Sequence, residues 1–496
     1  MTQRALLLTL VLLISMTDRP AAQVPAARLD SVVRRVLSRE RVVGASVLVA
    51  RNGAVILHRG YGLADLGLAV PARDETVYHI VGPMLPFTGI AVLQQVERGR
   101  LSLDDDISKY VPEFPMQGHH VTIRQLLNHT SGIVDYHYLG DPIEATSRQP
   151  KALDEVMALY AGKHWVNEPG VKWDWSISGF SLLVTIVERV TGQSFADYVR
   201  EQIIIPAGVR STTYCDDETV VPRLAHSYRK RGFFYAPANE TDMAYNADLR
   251  FCSTVGDLYA LWSAIRDKRL ISPESFAEMT TAEGAAARLS PADPQAQYGF
   301  GVMINHEDDH RRIGQHGSLL GYSGSLYEFP DDHLTIIVLT NTEDQNAYAI
   351  TRAVARAALG LPELPASPVL PAERPLADLP VDTAERRRLS GTFVLSLDRL
   401  TPGLHDSFAQ YRRTYRVFDE NGRLMIEPLG ESPRRLFKQR DGSFAMRSAP
   451  NDRVAFTMAP DGRVTGMRME SHLFGVPLSG DRVGDGDPRT FHDQLH

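Results

Sequence analysis

Cysteine and lysine are both scarce in this chain. Its 496 residues hold two cysteines and seven lysines, and each shortage excludes something. Two cysteines cannot staple a coreless mini-domain or build a four-thiolate metal centre. Seven lysines leave few candidates for an amine base. Positive charge is not in excess either: the formal net charge is −7, which argues against the basic face of a nucleic-acid binder. Beyond the N-terminus no run approaches the roughly 20 apolar residues of a membrane-spanning helix. No glycine-rich phosphate loop follows a strand, so a nucleotide has no seat. The 16 histidines include His119, His120, His129, His137 and His316. None has the His-Glu-x-x-His type of spacing, so they read as structural residues, with no metal and no cofactor expected.

The hydrophobic fraction of 43% and the charged fraction of 23% are ordinary for a globular chain, and the length exceeds what one core usually holds. Arg4 followed by the apolar run Ala5–Ile14 and the small residues Ala21 and Ala22 predicts a signal peptide over residues 1–25, with export to the periplasm or medium. An uncleaved anchor is the alternative. Export would permit a disulfide between Cys215 and Cys252; two buried free thiols are the other reading.

Leu29, Val32, Val33, Val36 and Leu37 recur at helical spacing over about 28–41. The apolar runs Gly44–Arg51 and Ala54–His58 flank Asn52-Gly53, a hairpin signal because both turn positions need positive φ. A helix is expected from about Pro86 to Arg98. Ser323–Phe329 and Leu334–Leu339, joined by Pro330-Asp331-Asp332, read as antiparallel strands before a helix over 350–359. The sequence predicts an α+β domain over 26–360 and a Pro-rich linker over 361–382. Short strands over 383–484 then suggest a small antiparallel barrel or sandwich, before a frayed tail over 485–496.

Several segments occur in an ordered series: Val92–Leu101, Leu103–Pro112, Leu127-Asn128-His129-Thr130-Ser131-Gly132, Pro169-Gly170, Gly179–Gly192 and Cys252–Leu258. Together they resemble the serine β-lactamase and penicillin-binding-protein-like family, in the branch with class C β-lactamases, D-Ala-D-Ala carboxypeptidases and esterases. The resemblance covers about 28–358 and implies an antiparallel sheet with flanking helices and a helical region. It also implies three motifs. The Ser-x-x-Lys supplies nucleophile and base, the Tyr-x-Asn a proton relay, and the Lys-or-His-x-Gly a substrate contact. The matching positions here are Gly82-Pro83-Met84-Leu85, Trp175-Ser176-Ile177, and Gln315-His316-Gly317 within Gly314–Ser323. A gapless match puts Gln315 on the Lys-or-His position; a one-residue slip would put His316 there. Glycine and leucine cannot act as nucleophile and base, and tryptophan and isoleucine cannot replace the relay.

The family route to an acyl-enzyme is thus expected to be absent, because its residues act as a unit. The expected remainder is a cleft walled by Gly82, Met84, Leu85, Trp175, Ile177, Gln315 and His316, holding a small, partly apolar ligand. A collapsed cleft is one alternative. A hydrolase using a displaced nucleophile is the other, with a His316–Ser318 pair as a candidate; Ser131 reads as a structural turn residue, Ser176 as a hydroxyl contact, and the Ser227-Tyr228-Arg229-Lys230 match as a decoy in a surface segment.

Overall fold

The computed structural model describes residues 24–136, 152–163, 165–215, 219–231, 234–238, 250–289, 295–319, 321–364, 377–396, 412–428, 434–446, 449–471 and 476–484. Residues 1–23 of the expected leader, most of the Pro-rich stretch, His137 and the tail lie outside them.

Helix α1 (Ala26–Arg39) buries Leu29, Val32, Val33 and Val36 along one stripe, as its spacing predicts. It leads into β1 (Gly44–Arg51) and β2 (Ala54–Asp65). The turn between them carries φ of 52° at Asn52 and 76° at Gly53, the paired positive values of a type I′ hairpin. After β3 (Val70–Pro71) and β4 (Tyr78–His79) comes α2 (Leu85–Glu97). Its residues from Leu85 to Gln95 are all buried, the all-round burial of a helix inside a core.

Helix α3 (Ile177–Thr191) follows, then β5 (Thr213–Tyr214), β6 (Tyr228–Arg231), β7 (Phe234–Pro237), β8 (Phe251–Ser253) and α4 (Val255–Arg266). The chain returns through β9 (Gln297–Tyr298), β10 (Met303–Glu307), β11 (His310–Leu319), β12 (Tyr322–Phe329) and β13 (Leu334–Thr340) to α5 (Asn346–Leu359).

The main sheet is eight-stranded, in the order β3-β2-β1-β13-β12-β11-β10-β9, with antiparallel pairing throughout. Side chains alternate across it, as the period-two geometry of a strand requires. Val47 and Val49 join Leu29, Val33, Ile350 and Val354 in a core under α1 and α5. Leu48 and Ala50 join Ile90, Phe180 and Leu261 in a larger core shared by α2, α3 and α4. Cys215 and Cys252 form a disulfide, with Cα atoms 5.8 Å apart.

Eight further strands, from Gly391–Ser396 to Val476–Gly484, close into a barrel around its own core of Phe393, Val417, Leu436, Phe444, Met467 and others. The α+β expectation holds, and barrel rather than sandwich is the form of the C-terminal β region. Among the described residues, no helix is long and apolar enough to cross a membrane.

Candidate functional site

The matched positions converge where α2 begins, where α3 begins, and on β11. Pro86 lies in the first turn of α2, where its missing N–H has no partner to lose. Gly82 therefore precedes the helix, in a turn closed by the Leu85 N–H donating to the Gly82 carbonyl (3.0 Å). Gly82 has φ 88°, a region that side chains disfavour. A Cβ on it would meet the His316 carbonyl carbon at 2.3 Å and the Gly317 nitrogen at 2.4 Å, well inside contact distance.

The approach is this close because Gly317 and Gly324 are direct partners across β11 and β12. Neither presents a side chain, so the sheet has a bare strip there, and residues 81–83 lie on it. A Cβ on Gly324 would meet the Val81 carbonyl oxygen at 2.7 Å. Met84 and Leu85 are fully buried in the helical core.

At the start of α3, Ser176 is the N-cap: its Oγ accepts from the Gly179 N–H at 3.3 Å. The Ile177 N–H donates to Asp135 (2.9 Å), so a carboxylate sits at the positive end of the helix. The Ser176 N–H donates to Nδ1 of His129 (3.2 Å). That fixes Nδ1 as the acceptor and places the imidazole proton on Nε2, which lies 3.2 Å from the Tyr298 hydroxyl. The same hydroxyl receives the amide N–H of Gln315 at 2.8 Å, while Gln315 Oε1 accepts from the His316 N–H (3.0 Å).

Trp175 and Phe180 lie against His129 with ring centroids 4.4 and 4.8 Å away. Gln315, Tyr298 and His129 are buried to within 1% of full burial, whereas Trp173 and Trp175 are half-buried. The core of the site is thus a hydrogen-bonded chain of neutral groups, with two indoles at its margin.

Burial pushes the His129 imidazole down to about 3 and the Tyr298 phenol well up, so neither carries charge near neutral pH. Asp174 differs. Burial first, and the nearby Asp135 carboxylate second, raise its carboxyl to about 6.

The structure brings Gly82, Met84, Leu85, Trp175, Ser176, Ile177, Gln315 and Gly317 to one region. His316 is a correction. It points to the opposite face of β11, because neighbours on a strand alternate. There it stacks on Tyr348 of α5 (4.0 Å between centroids) and bonds the Tyr327 hydroxyl at 2.7 Å. The slipped register, with His316 in place of Gln315, has no geometric support.

The other serines are occupied too. Ser131 Oγ accepts from the Ile133 N–H. Ser318 Oγ donates to the Tyr322 carbonyl and accepts from the Asp344 N–H. Lys230, the lysine of the Ser227 match, lies on β6 and pairs with Asp344. Sequence reasoning missed Tyr298, Asp135 and Asp174, and left His129 as a structural residue. The signal available for His129 was its place in Asn128–Gly132, a segment that turns through φ 57°.

A family model described as Beta-lactamase matches residues 29–361. Penicillin-binding protein 4* of Bacillus subtilis is 27% identical over 444 residues, covering 86% of this chain and 92% of that protein. Protein flp of Staphylococcus aureus is 26% identical over 323 residues, with 64% of this chain and 63% of that protein covered.

Among solved structures, the octameric penicillin-binding protein homologue from Pyrococcus abyssi matches with a TM-score of 0.59 at 20% identity, over 91% of this chain and 99% of its own. A D-stereospecific amidohydrolase from Streptomyces matches at 0.57 and 22%, over 67% and 98%. These structural likenesses speak to the fold. With the family model spanning the whole sheet and helical region, the chain belongs to the beta-lactamase family of serine-hydrolase-related proteins.

Proposed function

We propose that this chain is an exported, non-hydrolytic member of its family that holds a small, partly apolar ligand beside Trp173 and Trp175. The observation that carries the reading is Gly82. The position matching the nucleophile has no side chain, and its backbone leaves no room for one. Leu85, at the position of the base, is 1% exposed in an apolar core, where an ammonium group would be costly. Gln315 spends its amide on the Tyr298 hydroxyl and the His316 N–H. Half-buried indoles beside a neutral polar chain suit a flat or apolar group with one or two hydrogen-bonding atoms.

Acylation with a fluorophosphonate and with penicillin, read by intact mass, tests the chemical half. No adduct is expected; a stoichiometric adduct on any serine would overturn it. For the ligand, native mass spectrometry of protein from its source should show a bound small molecule that Trp175→Ala loses. D-configured amides are the first probes to titrate, given the name of the D-stereospecific Streptomyces amidohydrolase. Export rests on Arg4, the apolar run and the small residues at 21 and 22. The mature N-terminus should begin within a few residues of Ala22; a retained Met1 would overturn cleavage.

A further inference from the structure

A second cluster lies in the small sheet β4-β8-β5. His79 on β4 is the direct partner of Cys252 on β8, so both side chains share one face. On the other side of β8, Thr213 pairs with Cys252, and Cys215 follows it by two residues, bonded through its N–H to the Arg250 carbonyl (2.7 Å). One ring nitrogen and two sulfurs therefore come within 4.8 Å of one another. In a tetrahedral zinc site, with sulfur at about 2.3 Å and nitrogen at about 2.0 Å from the metal, the sulfurs stand about 3.8 Å apart and the nitrogen about 3.5 Å from each, so once the S–S bond is reduced the sulfurs part and the imidazole closes in by roughly 1 Å.

The disulfide explains the sulfurs but not the imidazole. His79 is 7% exposed, and its Nδ1 is buried without a hydrogen-bond partner. Leaving such a group unsatisfied is costly, and native proteins rarely do so without a use. Val77, Val221 and Leu224 wall the cysteines, and the Tyr322 ring stands 5.0 Å from the imidazole. This apolar shell excludes water and strengthens metal–ligand bonds.

We propose that His79, Cys215 and Cys252 form a redox-gated site for a thiophilic cation of the Zn2+ class, independent of the ligand reading above. With the cystine intact, the sulfurs are bonded to each other and the site is closed. A dithiol reductant opens it: the S–S bond accepts two electrons and two protons, the dithiol becomes a cyclic disulfide, and two cysteine thiols result. Zn2+ then displaces both thiol protons and is held by two thiolates and a ring nitrogen of His79, with a fourth position for water or an added ligand. Strand register puts the imidazole on the same face as Cys252 and beside both sulfurs, a grouping that the scattered positions of these residues in the chain hide.

The test uses the full chain, either oxidised or reduced with a phosphine that is then removed. Co2+ is the spectroscopic probe and Zn2+ the competitor. The reduced chain should take up one Co2+ with thiolate-to-metal charge-transfer absorption, lost on adding Zn2+, and the oxidised chain none. His79→Ala should weaken binding about tenfold or more, and the double variant Cys215→Ser/Cys252→Ser should abolish it. Should His79→Ala fail to fold, zinc-edge X-ray absorption of the unmutated reduced chain counts the ligands directly. Two sulfurs and at least one imidazole are expected. No uptake by the reduced chain, uptake that survives the double serine variant, or a coordination shell without imidazole overturns the proposal.

Discussion

At Gly82 two costs add: a positive φ that a side chain resists, and a backbone contact that a Cβ would violate. Gly82→Ser should therefore destabilise the chain by about 2 kcal/mol or more, read as a lowered denaturation midpoint. Gly82→Ser combined with Leu85→Lys should still form no penicillin adduct by intact mass. Asp174 gives a pH test. Its folded carboxyl titrates near 6 against an ordinary 3.8, so the folded state binds the proton more tightly than the unfolded one. Stability from this residue is present at low pH and is lost as pH rises from about 4 to about 6. Asp174→Asn should remove that decline and gain most at pH 7, measured as denaturation midpoints at pH 4, 5, 6 and 7. A gain equal at all four values would refute the assignment.

Single elements carry their own evidence. Helix α3 starts on Ser176, whose hydroxyl caps the Gly179 N–H. Ser176→Ala should cost about 1 kcal/mol, seen as a matching drop in unfolding free energy. A much larger effect would mean the hydroxyl does more than cap.

Elements were also the scale most legible in the sequence. The stripe of Leu29, Val32, Val33 and Val36, the Asn52-Gly53 turn and the proline at the head of α2 are local rules, and local rules are written in adjacent residues. The site was legible only where a motif supplied the positions. Gln315 and His316 are neighbours in sequence, yet the pleat sends them to opposite faces, into different clusters. Tyr298 joins His129 only because β9 comes to lie against the helical region. No spacing announces a partnership of that reach.

Across the whole molecule, the barrel holds a core made of its own side chains, and the sheet and helices hold theirs. Residues 377–484 expressed alone should accordingly fold, giving a cooperative melt with a β-type circular dichroism spectrum; a featureless spectrum would show that the barrel needs the rest of the chain. The paired glycines Gly317 and Gly324 have a wider consequence. Because the segment before α2 lies flat on the strip they leave bare, no single substitution at Gly82 is neutral. A route back to a serine nucleophile would first have to lift that segment from the sheet, through intermediates less stable than either end. For anyone redesigning this scaffold as a hydrolase, the productive unit of change is the strip and the segment together, and a search that mutates one position at a time will stall at its first step.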